Sequence, residues 1–199
     1  MMIREDCAAL DAADKLAGCR ARFALPAGTI YLDGNSLGAM PANVPARMKV
    51  AIEQEWAEGL IRSWNDADWY PAPQRTGDRI ARLIGAGQGE VIVADSTSVN
   101  LFKVLVAATR MRPGRGVILA ERTNFPTDVY IAESVAEMTG CELRCVDPEE
   151  VMSAIDENVA IVSLTHVNYK TGKRYDMEAM TRRAHEAGGR VVELALHHP

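Results

Sequence analysis

The second half of the chain alternates between short apolar runs and longer stretches whose apolar residues recur three and four positions apart. The runs at 91–94, 117–120, 142–146, 160–165 and 190–194 predict short buried strands, and 98–110, 126–139, 148–156 and 176–188 predict helices between them. Strands separated by helices make βαβ units, which places the chain in the α/β class: a mostly parallel sheet with helices on both faces. Crossovers in such a sheet are right-handed, and a ligand sits beyond the carboxyl ends of the strands. Residues 96–98 and Thr165 fall at such ends.

The first half is less regular. Residues 6–22 have helical spacing, and 30–32 form a short strand candidate. A helix is expected from the segment between Pro41 and Pro45 to about residue 60, with Met48, Ile52 and Trp56 four apart. Residues 63–73, with Trp64, Trp69, Pro71 and Pro73, read as loop, and 74–84 as a further helix.

Composition narrows the function classes. The 199 residues are 48% hydrophobic and 25% charged, as in globular domains. A net charge of −5 and a pI near 5.4 argue against a nucleic-acid or polyanion binder. Cys7, Cys19, Cys141 and Cys145 form no CxxC pair, so neither zinc nor thioredoxin chemistry is expected, and reduced thiols in the cytoplasm are. The charged start lacks a following apolar core, so no signal peptide is expected, and no apolar run approaches the ~20 residues of a membrane span.

Candidate chemistry concentrates in two segments, Asp95-Ser-Thr-Ser-Val-Asn-Leu-Phe-Lys103 and Asn124-Phe-Pro-Thr-Asp128. A helix N-terminus has unpaired N–H groups and partial positive charge, so it suits a phosphate. Ser96, Thr97 and Ser98 fit either plain helix capping or phosphate binding. Phe125 could cover a flat heteroaromatic ring or belong to the core, and Asp128 could simply complement a helix dipole. Gly85-Ala-Gly-Gln-Gly89 follows a helix and precedes a strand, the wrong order for a nucleotide cradle, and reads as a helix C-cap and turn.

These segments, with Tyr31-Leu-Asp-Gly-Asn-Ser-Leu-Gly38 and Leu164-Thr-His-Val-Asn-Tyr-Lys-Thr-Gly172, closely resemble the kynureninases, pyridoxal-phosphate enzymes of the aspartate-aminotransferase fold type. The resemblance runs from about Asp6 to Val192. It implies a helical segment and substrate-side loop over 1–60 and part of a cofactor-binding large domain over 61–199, without the small C-terminal domain. It implies that Thr97 and Ser98 bind the cofactor phosphate and that Phe125 stacks on the pyridine ring. Pro126, Thr127 and Asp128 would complete that wall, and Thr165 would lie against the cofactor. Asn35, Ser36 and Trp64 would approach the substrate, and a homodimer is implied. The implied reaction is hydrolysis of L-kynurenine, or its 3-hydroxy form, to an anthranilate and L-alanine.

The tail departs from the family. The pattern Asp-Leu-Ala-His is expected after the last strand, but Leu194 or Glu193 falls at the aspartate and His197 at the histidine. No residue here is assigned to the lysine that tethers the cofactor aldehyde, so the expected entity is the N-terminal half of such an enzyme, inactive alone. Two other readings stay open. A cysteine desulfurase-like enzyme shares the scaffold and is separated by assay with cysteine. A non-catalytic binding module is separated by a spectral titration with pyridoxal phosphate.

Overall fold

The computed structural model describes residues 3–34 and 36–194, and the chain separates after Val93 into two compact units. The first unit is helical, with α1 (Arg4–Ala13), α2 (Val44–Val50), α3 (Ser63–Asp66) and α4 (Ala72–Ile84). The helix expected over 6–22 stops at Ala13 and resumes as a 3-10 turn, Ala17–Arg22. Helix α2 continues as a π-helix, Ala51–Glu58, whose wider turn is closed by the Gly59 N–H on the Gln54 carbonyl at 2.9 Å. Residues 30–32 are not a strand. Their side chains stand in solvent, Ile30 84% and Leu32 87% exposed, without the buried face a strand needs. The expected loop at 63–73 holds the short α3 and the start of α4, where prolines fit the first turn.

The expected strand at 91–94 does not form either. Its polar backbone is engaged by α4: Gln74 Nε2 donates to the Val91 carbonyl at 3.0 Å, and the Val93 N–H donates to the Pro73 carbonyl at 3.2 Å. Gly77 permits this approach, because a Cβ there would stand 1.9 Å from the Val91 oxygen.

The second unit carries the sheet: β1 (Val117–Glu121), β2 (Glu142–Val146), β3 (Val159–Thr165) and β4 (Arg190–Leu194), all parallel, in the order β2-β1-β3-β4. Its helices are α5 (Thr97–Arg110), α6 (Pro126–Thr139) and α7 (Met177–Glu186). The Ser96 hydroxyl caps α5 and the Asp176 carboxylate caps α7, whereas α6 begins on proline and ends at Gly140 with φ 72°. Residues 148–156, expected as helix, are a series of turns. Val151 and Ile155 keep the helical spacing and are buried, but the backbone also closes i to i+3, as in Glu150 N–H to the Asp147 carbonyl.

Both sheet faces are covered. Leu101, Leu105 and Ala108 of α5 and Ala132, Val135 and Ala136 of α6 pack on Ile118 and Ile161. Met180 and Ala184 of α7, with Val151 and Ile155, pack on Leu119, Val162 and Leu164 of the other face. Strands β1 and β3 therefore read as nearly continuous apolar runs, and each large side chain buried among them contributes about 1.5–3 kcal/mol. A register shift opposite the Val117–Ile118 step adds one residue to β3, so Ala160 and Ile161 both join the α5–α6 face.

Candidate functional site

From β1 the chain leaves through α6 towards β2; from β3 it leaves through α7 towards β4, on the opposite side. The boundary between β1 and β3 is thus a topological switch point, where a parallel sheet opens a crevice at its carboxyl edge. Helix α5 returns through residues 111–116 to the start of β1, so it runs against the strand and its N-terminus also lies at that edge.

Asn124 holds the crevice together. It is buried, and its Oδ1 accepts the Phe125 N–H at 2.8 Å and the Thr165 hydroxyl at 2.6 Å. One side chain thus joins the start of α6 to the end of β3 and brings the expected residues Phe125 and Thr165 side by side. Thr165 is buried, whereas Phe125 keeps 37% of its surface exposed. Pro126 and Thr127 form the first turn of α6, with buried Asp128 after them; the Asp128 N–H donates to the Phe125 carbonyl at 3.0 Å. The Phe125 ring meets Tyr169 edge to face, centroids 5.2 Å apart at 71°, and Lys170 Nζ stands 5.4 Å from the Tyr169 ring centre.

Ser96 is the N-cap of α5, its hydroxyl accepting the Val99 N–H at 3.4 Å. Thr97 and Ser98 occupy the first turn and are exposed, and neither hydroxyl is hydrogen-bonded among the described residues. The turn before them is held by Asn100 Nδ2 on the Ala94 carbonyl at 2.6 Å and by an exposed Lys103–Asp95 ion pair, with Asp95 at φ 40°. Lys103, in the second turn of α5, therefore pairs back to this turn. Two free hydroxyls and uncapped N–H groups at the start of a 14-residue helix are a donor set suited to a phosphate.

Glu121 and the residues around it escaped the sequence reading. Glu121 ends β1 at 2% exposure; its carboxylate accepts from Tyr175 Oη at 2.6 Å, from Asn168 Nδ2 at 3.1 Å and from the Thr123 hydroxyl. Burial, and then the bond to Glu121, push the Tyr175 phenol far above its usual range, so it remains a protonated donor at neutral pH. The available signal was an acidic residue closing an otherwise apolar strand. Asn124 was visible in its motif, but nothing there distinguished it from a turn residue.

Ser36 and Trp64 belong to the first unit, and Asn35 and His197 lie outside the described residues. The Ser36 hydroxyl donates to Asp33 at 2.8 Å, within a loop closed by the Tyr31 hydroxyl on the Leu37 carbonyl at 2.5 Å. Trp64 meets Trp69 edge to face at 6.4 Å, and Trp69 Nε1 donates to Glu55 at 2.8 Å. That bond, then the one from Arg47, draws the Glu55 carboxyl below its usual range. No hydrogen bond or ring contact joins Ser36 to Trp64 among the described residues.

A parallel α/β sheet with an open helix N-terminus and an aromatic side chain at its switch point is the setting of a group of cofactor-dependent enzymes, and this chain belongs to the aminotransferase class-V family, which it matches over residues 30–193. Within that family it is similar to kynureninases. The kynureninase of Pseudomonas fluorescens is 56% identical over 96% of this chain and 48% of its own length. That of Burkholderia pseudomallei (strain 1106a) is 51% identical with the same coverage. The chain thus spans about half the length of the curated relatives it matches. Among solved structures, the cysteine desulfurase CsdA of Escherichia coli superposes with a TM-score of 0.71 at 20% identity, over 90% of this chain and 48% of that one. A C-DES mutant with glycine covalently linked to its PLP cofactor gives 0.70 at 16% identity, over 88% and 48%. Identities this low establish the fold, and the α/β class read from the sequence is the one found. Among the described residues no helix is long and apolar enough to cross a membrane.

Proposed function

We propose that the chain supplies the pyridoxal-phosphate-anchoring half of a kynureninase-type enzyme, which hydrolyses L-kynurenine or its 3-hydroxy form to an anthranilate and L-alanine. The observation that carries the reading is the Asn124 junction, which fixes Phe125 and Thr165 together at the switch point. The similarity to kynureninases supports the substrate, while the cysteine desulfurase likeness rests on fold alone.

The free donors at the start of α5 fit the cofactor's phosphate, and the half-exposed Phe125 ring fits its pyridine. The Thr97 and Ser98 N–H groups and hydroxyls would take the phosphate, each hydrogen bond to that charged group contributing about 1.5–3 kcal/mol. Phe125 would cover one face of the pyridine, with Pro126, Thr127 and Asp128 as the wall beside it and Thr165 lying against the ring. Asn35, Ser36 and Trp64 would serve the substrate side. Once bound, pyridoxal phosphate supplies an electron sink for charge developing at the substrate α-carbon. The protein acts as a homodimer in the cytoplasm.

Absorbance titration of the chain with pyridoxal phosphate tests this. Saturable binding is expected, weakened about tenfold or more by Ser98→Ala and also by Phe125→Ala. Absence of saturation, or affinity indifferent to both substitutions, would overturn the reading. No residue of this chain is assigned to the tethering lysine, an acid–base group of a kind worth about 10²–10⁴-fold. Anthranilate release from kynurenine is therefore expected at background, and turnover like that of the relatives would refute this part.

A further inference from the structure

We propose that Glu121 is a positioning residue: through Asn168 and Tyr175 it sets the hairpin over residues 166–175 so that Tyr169 backs the Phe125 ring. This rests on the reading of Phe125 as the cover of the cofactor ring.

The hairpin is stiff within itself. Val167 and Arg174 form an antiparallel bridge, the Asn168 N–H meets the Lys173 carbonyl at 2.9 Å, and the Tyr175 N–H meets the His166 carbonyl at 3.0 Å. Asn168 Oδ1 accepts the N–H groups of Lys170 at 3.0 Å and Thr171 at 3.1 Å, which shapes the tip that carries Tyr169. A stiff body moves as a whole, so its anchor decides where Tyr169 stands. Among the described residues its buried side-chain anchor is the Glu121 carboxylate, which takes Asn168 Nδ2 on one oxygen and the Tyr175 hydroxyl on the other. The Lys173–Glu149 ion pair also ties the hairpin down, but it is exposed and contributes little.

The chemistry of the anchor is unusual for plain structure. Among the described residues no cation pairs with Glu121, so a carboxylate at 2% exposure rests on neutral donors alone. A buried charge held this way is costly, and a neutral side chain would satisfy ordinary packing. What the carboxylate adds is two acceptor oxygens with fixed directions, one for each strand of the hairpin. Tyr169, next to Asn168, is thereby held edge-on to Phe125.

The test exchanges donor and acceptor. Glu121→Gln removes one acceptor oxygen. Asn168→Asp keeps the acceptor for the tip N–H groups but sets carboxylate against carboxylate. In the double variant the amide nitrogen introduced at position 121 donates to the carboxylate at 168, while the amide oxygen still accepts from Tyr175. Pyridoxal phosphate and inorganic phosphate are titrated against the parent chain, both single variants and the double variant, with amide hydrogen exchange followed over 166–175. Each single variant is expected to bind pyridoxal phosphate about threefold to tenfold more weakly, the worth of an aromatic edge contact, and to exchange faster. Inorganic phosphate affinity stays at the parent value, and the double variant recovers both lost properties. Should a Glu121 variant fail to fold by circular dichroism, Tyr175→Phe, which removes one hydroxyl, carries the same comparison. Equal weakening for both probes, or a double variant no better than the singles, overturns the proposal. If the parent chain does not bind pyridoxal phosphate, the cofactor reading is what fails, and unchanged exchange in the single variants then overturns this inference separately.

Discussion

Removing the Asn124 side chain should cost more than its hydrogen bonds suggest, and Thr165 should explain the excess. In Asn124→Ala the Phe125 N–H and the Thr165 hydroxyl both lose their acceptor. The Phe125 N–H sits in a part-buried bond, and losing it costs about 1 kcal/mol. Thr165 is 6% exposed, and a buried hydroxyl without a partner costs about 1–3 kcal/mol. The total is about 2–4 kcal/mol. Thr165→Val alone leaves Asn124 bonded to Phe125 and costs about 1 kcal/mol. The double variant has no orphaned hydroxyl and keeps only the Phe125 loss, so it should be about 2–4 kcal/mol more stable than the sum of the single losses predicts. Urea unfolding followed by circular dichroism measures all four proteins. Strict additivity, within about 0.5 kcal/mol, would refute the claim that these residues act as one unit.

Gly77→Ala should destabilise the first unit by about 1–3 kcal/mol or more, since the obstacle is the Val91 backbone oxygen 1.9 Å away and cannot rotate aside; an unchanged urea midpoint would contradict this. Ser96→Ala should cost about 0.5–1 kcal/mol, at the low end for an N-cap because the bond to Val99 is 3.4 Å. The Asn158 N–H, then Arg144, hold the Asp156 carboxyl below its usual range. Its folded pKa is depressed, so its stabilisation is present above the unfolded value of ~3.9 and fades as pH falls through the folded one. Asp156→Asn should therefore flatten the acid limb of a stability–pH curve below about pH 4, and an acid limb as steep as the parent's would count against it.

The sheet was readable chiefly through β1 and β3, which are buried throughout and leave almost uninterrupted apolar runs. Residues 91–94 carry the same signature, yet a strand also needs a neighbour to complete its ladder, and local composition does not report that Pro73 and Gln74 take those backbone groups. Residues 148–156 failed in the opposite sense. Burial of Val151 and Ile155 at helical spacing is met by successive turns as well as by a helix. At the site, Thr97, Ser98 and Phe125 stood out because hydroxyls and an aromatic ring at helix starts are chemically conspicuous. Asn124 and Glu121 did not, because the partners that tie them to other elements, Thr165 for the one and Asn168 and Tyr175 for the other, lie 41 and 47 or more residues further along the chain.

The strand order has a temporal consequence. Because β2 is followed by a return across β1, the wall of the crevice is finished only when the third strand docks beside the first. A chain emerging from the ribosome can therefore fold the β1–α6–β2 element early, yet it has no crevice to offer until the segment ending at Thr165 has left the exit tunnel. Capture of a small molecule would then report completed topology, and nascent or strand-slipped chains would remain empty.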